Sequence, residues 1–318
     1  MKESIYNKHD IEAAKIINDF LPDKLFDAHM HITHRGPLYE VGTSFDDYYD
    51  NIKLFAKDRE VRCNGIVHPD DELKDPTEFA KAHDFLVEEL NKHPQNVGEV
   101  LVFPSDTIDD IEARLLHPNI KGLKCYCFYA ECENKYDATI GEYLPESAWE
   151  VANQRKMVIT LHMVKNECLA HPDNLNYIIK MAKKYPDAVL ILAHAARAFA
   201  AWTVFGTVDK LVDLENVWFD FSAICETPAM LYIIKKVGVS RCMWGTDYPV
   251  AAYLGKPISL GNTFTWLNAG NFSGGFPLRH VITEGFMAMR ELSILADFGK
   301  NQLEDIFYNN ASRLFDVK

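Results

Sequence analysis

The chain has 318 residues, 48% of them apolar, and a formal net charge of −13 spread along its length. That acidic balance argues against a nucleic-acid or anionic membrane surface and leaves a small molecule as the expected partner. No apolar run reaches bilayer length, and the polar stretch 1–10 is not followed by the apolar core of a secretory signal. Seven cysteines without framework spacing read as free thiols of a reducing cytoplasm.

In chain order, the periodicity predicts a short amphipathic helix over 9–20 and a first strand over 25–32. A second apolar run, 63–69, ends at Pro69 and precedes a helical pattern over 76–91. Strand-like runs recur at 97–104, 120–128, 157–163, 189–195, 217–223 and 241–246. Helices are expected between them at 106–116, 145–155, 171–185, 203–214 and 227–237. Alternation of strand and helix over this length means a parallel sheet, and eight units fit a closed (β/α)₈ TIM barrel filling one domain, 1–318. A doubly wound open sheet is the rival, but the chain has no G-x-G-x-x-G and no P-loop. Residues 250–280 form a long Gly-, Pro- and aromatic-rich loop after strand 8, expected to be a lid or pocket wall, with Gly274-Gly275 as its hinge. Extra C-terminal helices are expected over 281–297 and 301–315.

The polar residues fall at the strand ends. His29 and His31 are two apart in an apolar strand, so they share a face while Ala28, Met30 and Ile32 take the other. His162, His194 and Asp247 close the fifth, sixth and eighth runs, on the rim where a barrel carries its chemistry. Three imidazoles and a carboxylate (His29, His31, His162 and Asp247) are the ligand mix of a catalytic Zn²⁺, with Mn²⁺ or another divalent ion as alternatives.

The motifs FDAHMHI, TLHM, LAHAAR and WGTDYP, in this order and each at a strand end, resemble the amidohydrolase superfamily. The ending NNASRLFDV is similar to the amidohydrolase-related branch that includes aminocarboxymuconate-semialdehyde decarboxylase-like enzymes. The resemblance implies metal ligation by His29, His31 and His162, ligation and proton transfer by Asp247, and an imidazole, His194, beside the metal-bound water. It places Lys124 where binuclear relatives carry a carboxylated lysine, although one metal suffices here. It also implies a possible homodimer.

Inward-facing Lys124 and Tyr126 leave Cys125 and Cys127 among the helices as packed thiols rather than a metal site. Arg35 and Arg197 are shaped to clamp a carboxylate, with Tyr126, Trp202, Tyr248 and Trp266 as aromatic neighbours. Asp220 and Ser222 alternate on the seventh strand and orient neighbours. The reading is a metal-dependent hydrolase that attacks a carbonyl (lactone, ester or amide) of a small carboxylated substrate. The alternatives are a non-oxidative decarboxylase on the same site, and a metal-binding barrel without catalysis.

Overall fold

The computed structural model describes residues 5–271 and 277–316, so the Gly274-Gly275 hinge lies outside the described residues. Eight parallel strands form the barrel in sequential order: β1 (Lys24–Ile32), β2 (Glu60–Val67), β3 (Val97–Leu101), β4 (Ile120–Cys125), β5 (Val158–Leu161), β6 (Val189–Leu192), β7 (Val217–Asp220) and β8 (Cys242–Met243). Most of their residues are buried, as strands covered on both faces require. The segment after β8 closes the ring onto β1. Ala28 N donates to Trp244 O (3.1 Å), Asp247 N to His29 O (2.8 Å) and His31 N to Tyr248 O (2.6 Å).

The barrel interior is layered. Phe26, Ala28, Val97, Val158, Ile191 and Met243 pack as an apolar floor, sealed from below by Phe315, whose ring stacks on Phe26 at 5.7 Å. Above it lies a buried polar layer in which Asn64 Nδ2 (2.6 Å) and Thr160 Oγ1 (2.8 Å) donate to Glu99 Oε1. The imidazoles stand on top. The β1–β2 register shifts between Asp27 and Met30, a bulge in β1. That bulge lets Phe26 and Ala28 line the floor while His29 and His31 still face inward, which strict alternation over 25–32 would forbid. Side chains beside an active site are commonly re-aimed in this way.

The helices at Lys8–Phe20, Pro76–Lys92, Ile108–Arg114, Glu146–Arg155, Pro172–Lys184, Thr227–Val237 and Val281–Leu295 stand where the periodicity put them. A further helix, Phe45–Ala56, starts at a Ser44/Asp47 capping box that the sequence reading passed over. The helix expected over 203–214 is replaced by two 3₁₀ turns, Ala201–Thr203 and Val208–Leu211, because Gly206 at φ +74° breaks the run. The helix expected over 301–315 is interrupted by a π turn, Asp305–Asn309. The long loop after β8 contains an antiparallel hairpin, β9 (Lys256–Leu260) and β10 (Thr263–Leu267). Among the described residues no helix is long and apolar enough to cross a membrane, and all seven cysteines are free.

Candidate active site

Six strand ends, those of β1 and β4 to β8, bring one polar cluster together. His29 and His31, from β1, point their Nε2 atoms at each other across 3.3 Å. Asp247 Oδ1 lies 3.3 Å from His31 Nε2 and 3.7 Å from His29 Nε2. Lys124, fully buried at the end of β4, brings its Nζ to 3.3 Å from His29 Nε2. Gly245 makes the close approach of the segment after β8 possible, since a Cβ there would stand 3.1 Å from His29 Cβ and 3.2 Å from Ser222 Cβ.

Asp220, at the end of β7, fixes the tautomer of His29. Its Oδ2 lies 3.0 Å from His29 Nδ1, and an ionised carboxylate can only accept, so the ring proton sits on Nδ1 and Nε2 is left as a lone pair. That lone pair and the Asp247 carboxylate converge on the same space. Lys124 Nζ already stands 3.3 Å from that lone pair, and the donor set of two nitrogens and a hard oxygen beside it fits a divalent ion. His29, His31 and Asp247 are the residues that would hold it. The group His29, His194 and Asp220 is also tight, but its atoms are already committed to hydrogen bonds with one another and with Ser222.

His194 sits just past β6 on an unusual turn. His194, Ala195, Ala196 and Arg197 all have positive φ (56°, 54°, 62° and 57°), a left-handed turn built without glycine. Each such residue costs roughly 1–2 kcal/mol, so the surroundings must hold the turn in place. Asp220 Oδ1 does so by accepting from His194 N (3.1 Å). His194 Nδ1 faces Ser222 Oγ (2.9 Å) and Ser222 O (3.2 Å), so it carries the proton and leaves Nε2 as an acceptor 3.2 Å from His162 Nδ1. The Tyr126 ring stacks on His162 at 4.6 Å.

Burial sets the charge state. It pushes His31 down to about 3 and His194 to about 4, and holds His29 and His162 well below the ordinary imidazole value, so all four rings are neutral ligands or proton acceptors. Burial raises Asp247 to about 6, against the opposing charge of Lys124. It raises Glu99 to about 7 and lowers Lys124, which Glu99 and Asp220 partly restore.

The residues expected to meet the substrate divide. Among the described residues Arg197 donates to Lys165 O (3.4 Å) and Cys168 Sγ (3.7 Å), with its guanidinium carbon 5.4 Å from the Phe264 ring. Among the described residues no carboxylate pairs with it. Arg35 is instead taken up by Asp70 (3.1 Å) and Glu72, so it does not join Arg197 in a clamp. Trp202 donates Nε1 to Asn262 O (2.8 Å), anchoring the β9–β10 hairpin rather than facing the cluster, and Tyr248 is buried with its hydroxyl on Gly42 O. Sequence reading named Trp266 but missed the rest of the aromatic wall: Phe199 stacks on His194 (5.9 Å) and meets Phe264 (4.8 Å) and Trp266 (6.2 Å) of the hairpin. Gly261-Asn262 between two alternating segments was the available hairpin signal. It also missed His68, edge-on to His31 at 5.4 Å, and buried Glu99.

The chain belongs to the amidohydrolase family, whose model matches residues 26–317. Among curated proteins none matches the sequence. The fold is similar to that of solved structures at low identity. 5-Carboxyvanillate decarboxylase from Sphingomonas paucimobilis aligns with TM-score 0.56 and 13% identity over 93% of this chain and 100% of that one. A protein provisionally named 2-pyrone-4,6-dicarboxylic acid hydrolase, from Pseudomonas putida, aligns with TM-score 0.59 and 14% identity over 94% and 99%. An amidohydrolase from Burkholderia multivorans, solved with bound zinc, aligns with TM-score 0.60 and 11% identity over 92% and 99%.

Proposed function

We propose that this protein is a cytoplasmic, metal-dependent hydrolase that opens a carbonyl bond (lactone, ester or amide) in a small carboxylated substrate. The observation that carries the reading is the convergence of the His29 Nε2 lone pair, His31 Nε2 and Asp247 Oδ1, with neutral His194 alongside. A bound divalent ion, zinc being the best match to two imidazoles and a carboxylate, supplies Lewis-acid polarisation and an acidified water.

The chain's own residues do the rest. Asp247, raised to about 6 by burial, is ionised at neutral pH yet basic enough to take the proton of the attacking water and pass it to the leaving group. His194 enters the reaction with Nδ1–H committed to Ser222 and Nε2 open, so it is a second proton acceptor. It can donate to a developing oxyanion only after taking up a proton. Arg197, without a carboxylate partner among the described residues, is placed to take a substrate carboxylate, and the wall of Phe199, Phe264 and Trp266 shields the reacting bond from bulk water.

That aromatic wall, with Tyr126 stacked on His162, equally favours a conjugated acid and hence a second reading, non-oxidative decarboxylation. Metal analysis of protein purified without chelators, followed by turnover of lactones, amides and aromatic acids in ¹⁸O-labelled water, tests the choice. Label in a new carboxyl group is the expected result. CO₂ release with no ring or amide opening overturns it.

A further inference from the structure

We propose that Asp220 is a positioning residue that sets both working imidazoles at once: it locks the tautomer in which His29 presents Nε2 and anchors the left-handed turn that carries His194 and Arg197. The inference rests on the reading of His29 as a metal ligand and goes beyond it. The two carboxylate oxygens have separate tasks. Oδ2 takes the Nδ1–H of His29 at 3.0 Å. Oδ1 takes His194 N and Ser222 N, each at 3.1 Å, and the Ser222 hydroxyl. Ser222 Oγ, having donated to Asp220, accepts from His194 Nδ1 at 2.9 Å, so the tautomer of His194 is set through the same carboxylate.

Asp220, Ser222 and His29 are all fully buried, so no water competes for these bonds. A buried carboxylate that accepts this many donors cannot be replaced by an amide without reversing one of them, since an amide has a single acceptor oxygen and two N–H donors. In Asp220→Asn the amide oxygen stays with the three donors on the Oδ1 side, and the NH₂ group faces His29 Nδ1. That ring nitrogen then faces an N–H donor, with the Ser222 hydroxyl, 3.3 Å away and already accepting from His194, as the competing acceptor, so the proton is expected to move to Nε2 and the atom aimed at Asp247 to lose its lone pair. Partners that orient a metal-ligating histidine typically change affinity by about 10–100-fold when lost.

The test measures the full-length chain in two ways. Two-bond ¹H–¹⁵N spectra of histidine-labelled, metal-free protein report the His29 tautomer, with His29→Gln giving the assignment, and Co²⁺ titration reports metal affinity. In the wild type, His29 is expected as Nδ1–H. In Asp220→Asn it is expected as Nε2–H, with Co²⁺ affinity about 10–100-fold weaker. In Ser222→Ala the His29 tautomer and Co²⁺ affinity are expected to hold within threefold, while the His194 signals shift. An Nε2–H form of His29 in the wild type overturns the proposal without any variant, and so does wild-type Co²⁺ affinity in folded Asp220→Asn. Failure of the wild type to bind Co²⁺ would instead remove the metal site itself, a separate result from either.

Discussion

His162 Nδ1 lies 3.2 Å from His194 Nε2, and the two rings meet edge to face at 5.1 Å. Because His194 Nε2 is an acceptor, His162 is the donor and keeps its proton on Nδ1, which leaves its own Nε2 as a lone pair. The sequence reading grouped His162 with His29, His31 and Asp247 as metal ligands. The geometry joins His29, His31 and Asp247 directly and links His162 to them through His194 and His29, whose rings are 5.0 Å apart. Metal content should therefore respond in a graded way. His29→Ala and His31→Ala are expected to lose the single bound ion with the barrel still folded, and His162→Ala to bind it more weakly, all read by elemental analysis and circular dichroism. Unchanged content in both His29→Ala and His31→Ala means the site lies elsewhere.

On the proposed function, His194 serves proton transfer rather than metal retention. His194→Asn is expected to keep the ion and lose a factor of about 10² or more in turnover, the scale for a positioned acid–base group. Near-normal turnover would remove the role.

Gly245 tests how tightly His29 is seated. A methyl at this position would stand 3.1 Å from His29 Cβ and 3.2 Å from its backbone N, closer than packing allows without movement of β1. Gly245→Ala should push the ring by a few tenths of an ångström and weaken Co²⁺ binding. Wild-type affinity would show that β1 yields without moving the imidazole.

The barrel and most of the site were legible because they are written in short-range patterns. Apolar runs mark β1 to β8, and histidines or an aspartate at their ends mark the rim. What stayed hidden depends on contacts between distant segments. The bulge at 27–30 requires the register with β2, and the left-handed turn at 194–197 carries no glycine to announce it. Arg35 and Arg197 read alike in sequence. Only the fold shows Arg35 spent on Asp70 and Glu72, and Arg197 facing Phe264 instead.

That contrast makes Arg197 the specificity residue to test once a substrate is in hand. A charge-assisted bond is worth about 1.5–3 kcal/mol. Arg197→Gln should therefore raise KM for a carboxylated substrate by about 10–100-fold and leave that for the matching neutral methyl ester little changed. An equal effect on both would mean that Arg197 only braces its turn. Arg35→Gln, whose partners are Asp70 and Glu72, is expected to change neither.

The last prediction concerns stability and lies far from the chemistry. Asp10, in the first turn of the N-terminal helix, accepts from His280 N (2.9 Å) and Thr283 Oγ1 (2.7 Å), and its Oδ2 lies 2.8 Å from His280 Nδ1. The fully buried carboxylate thus ties the Lys8–Phe20 helix to the start of Val281–Leu295. Burial alone would raise its pKa, but the hydrogen bonds from His280 and Thr283 outweigh burial and hold it below the ordinary carboxylate value. A lowered folded-state pKa contributes stability that is fully present above the unfolded pKa, roughly 3.9, and is lost as pH falls through the folded one. Asp10→Asn should therefore cost about 2–3 kcal/mol at pH 7, the scale of charge-assisted bonds to a buried acceptor. Urea unfolding of both proteins at pH 7, 5 and 3 checks the sign: the gap should hold between pH 7 and 5 and narrow towards pH 3. A gap that widens in acid would show that the bonds do not favour the ionised form.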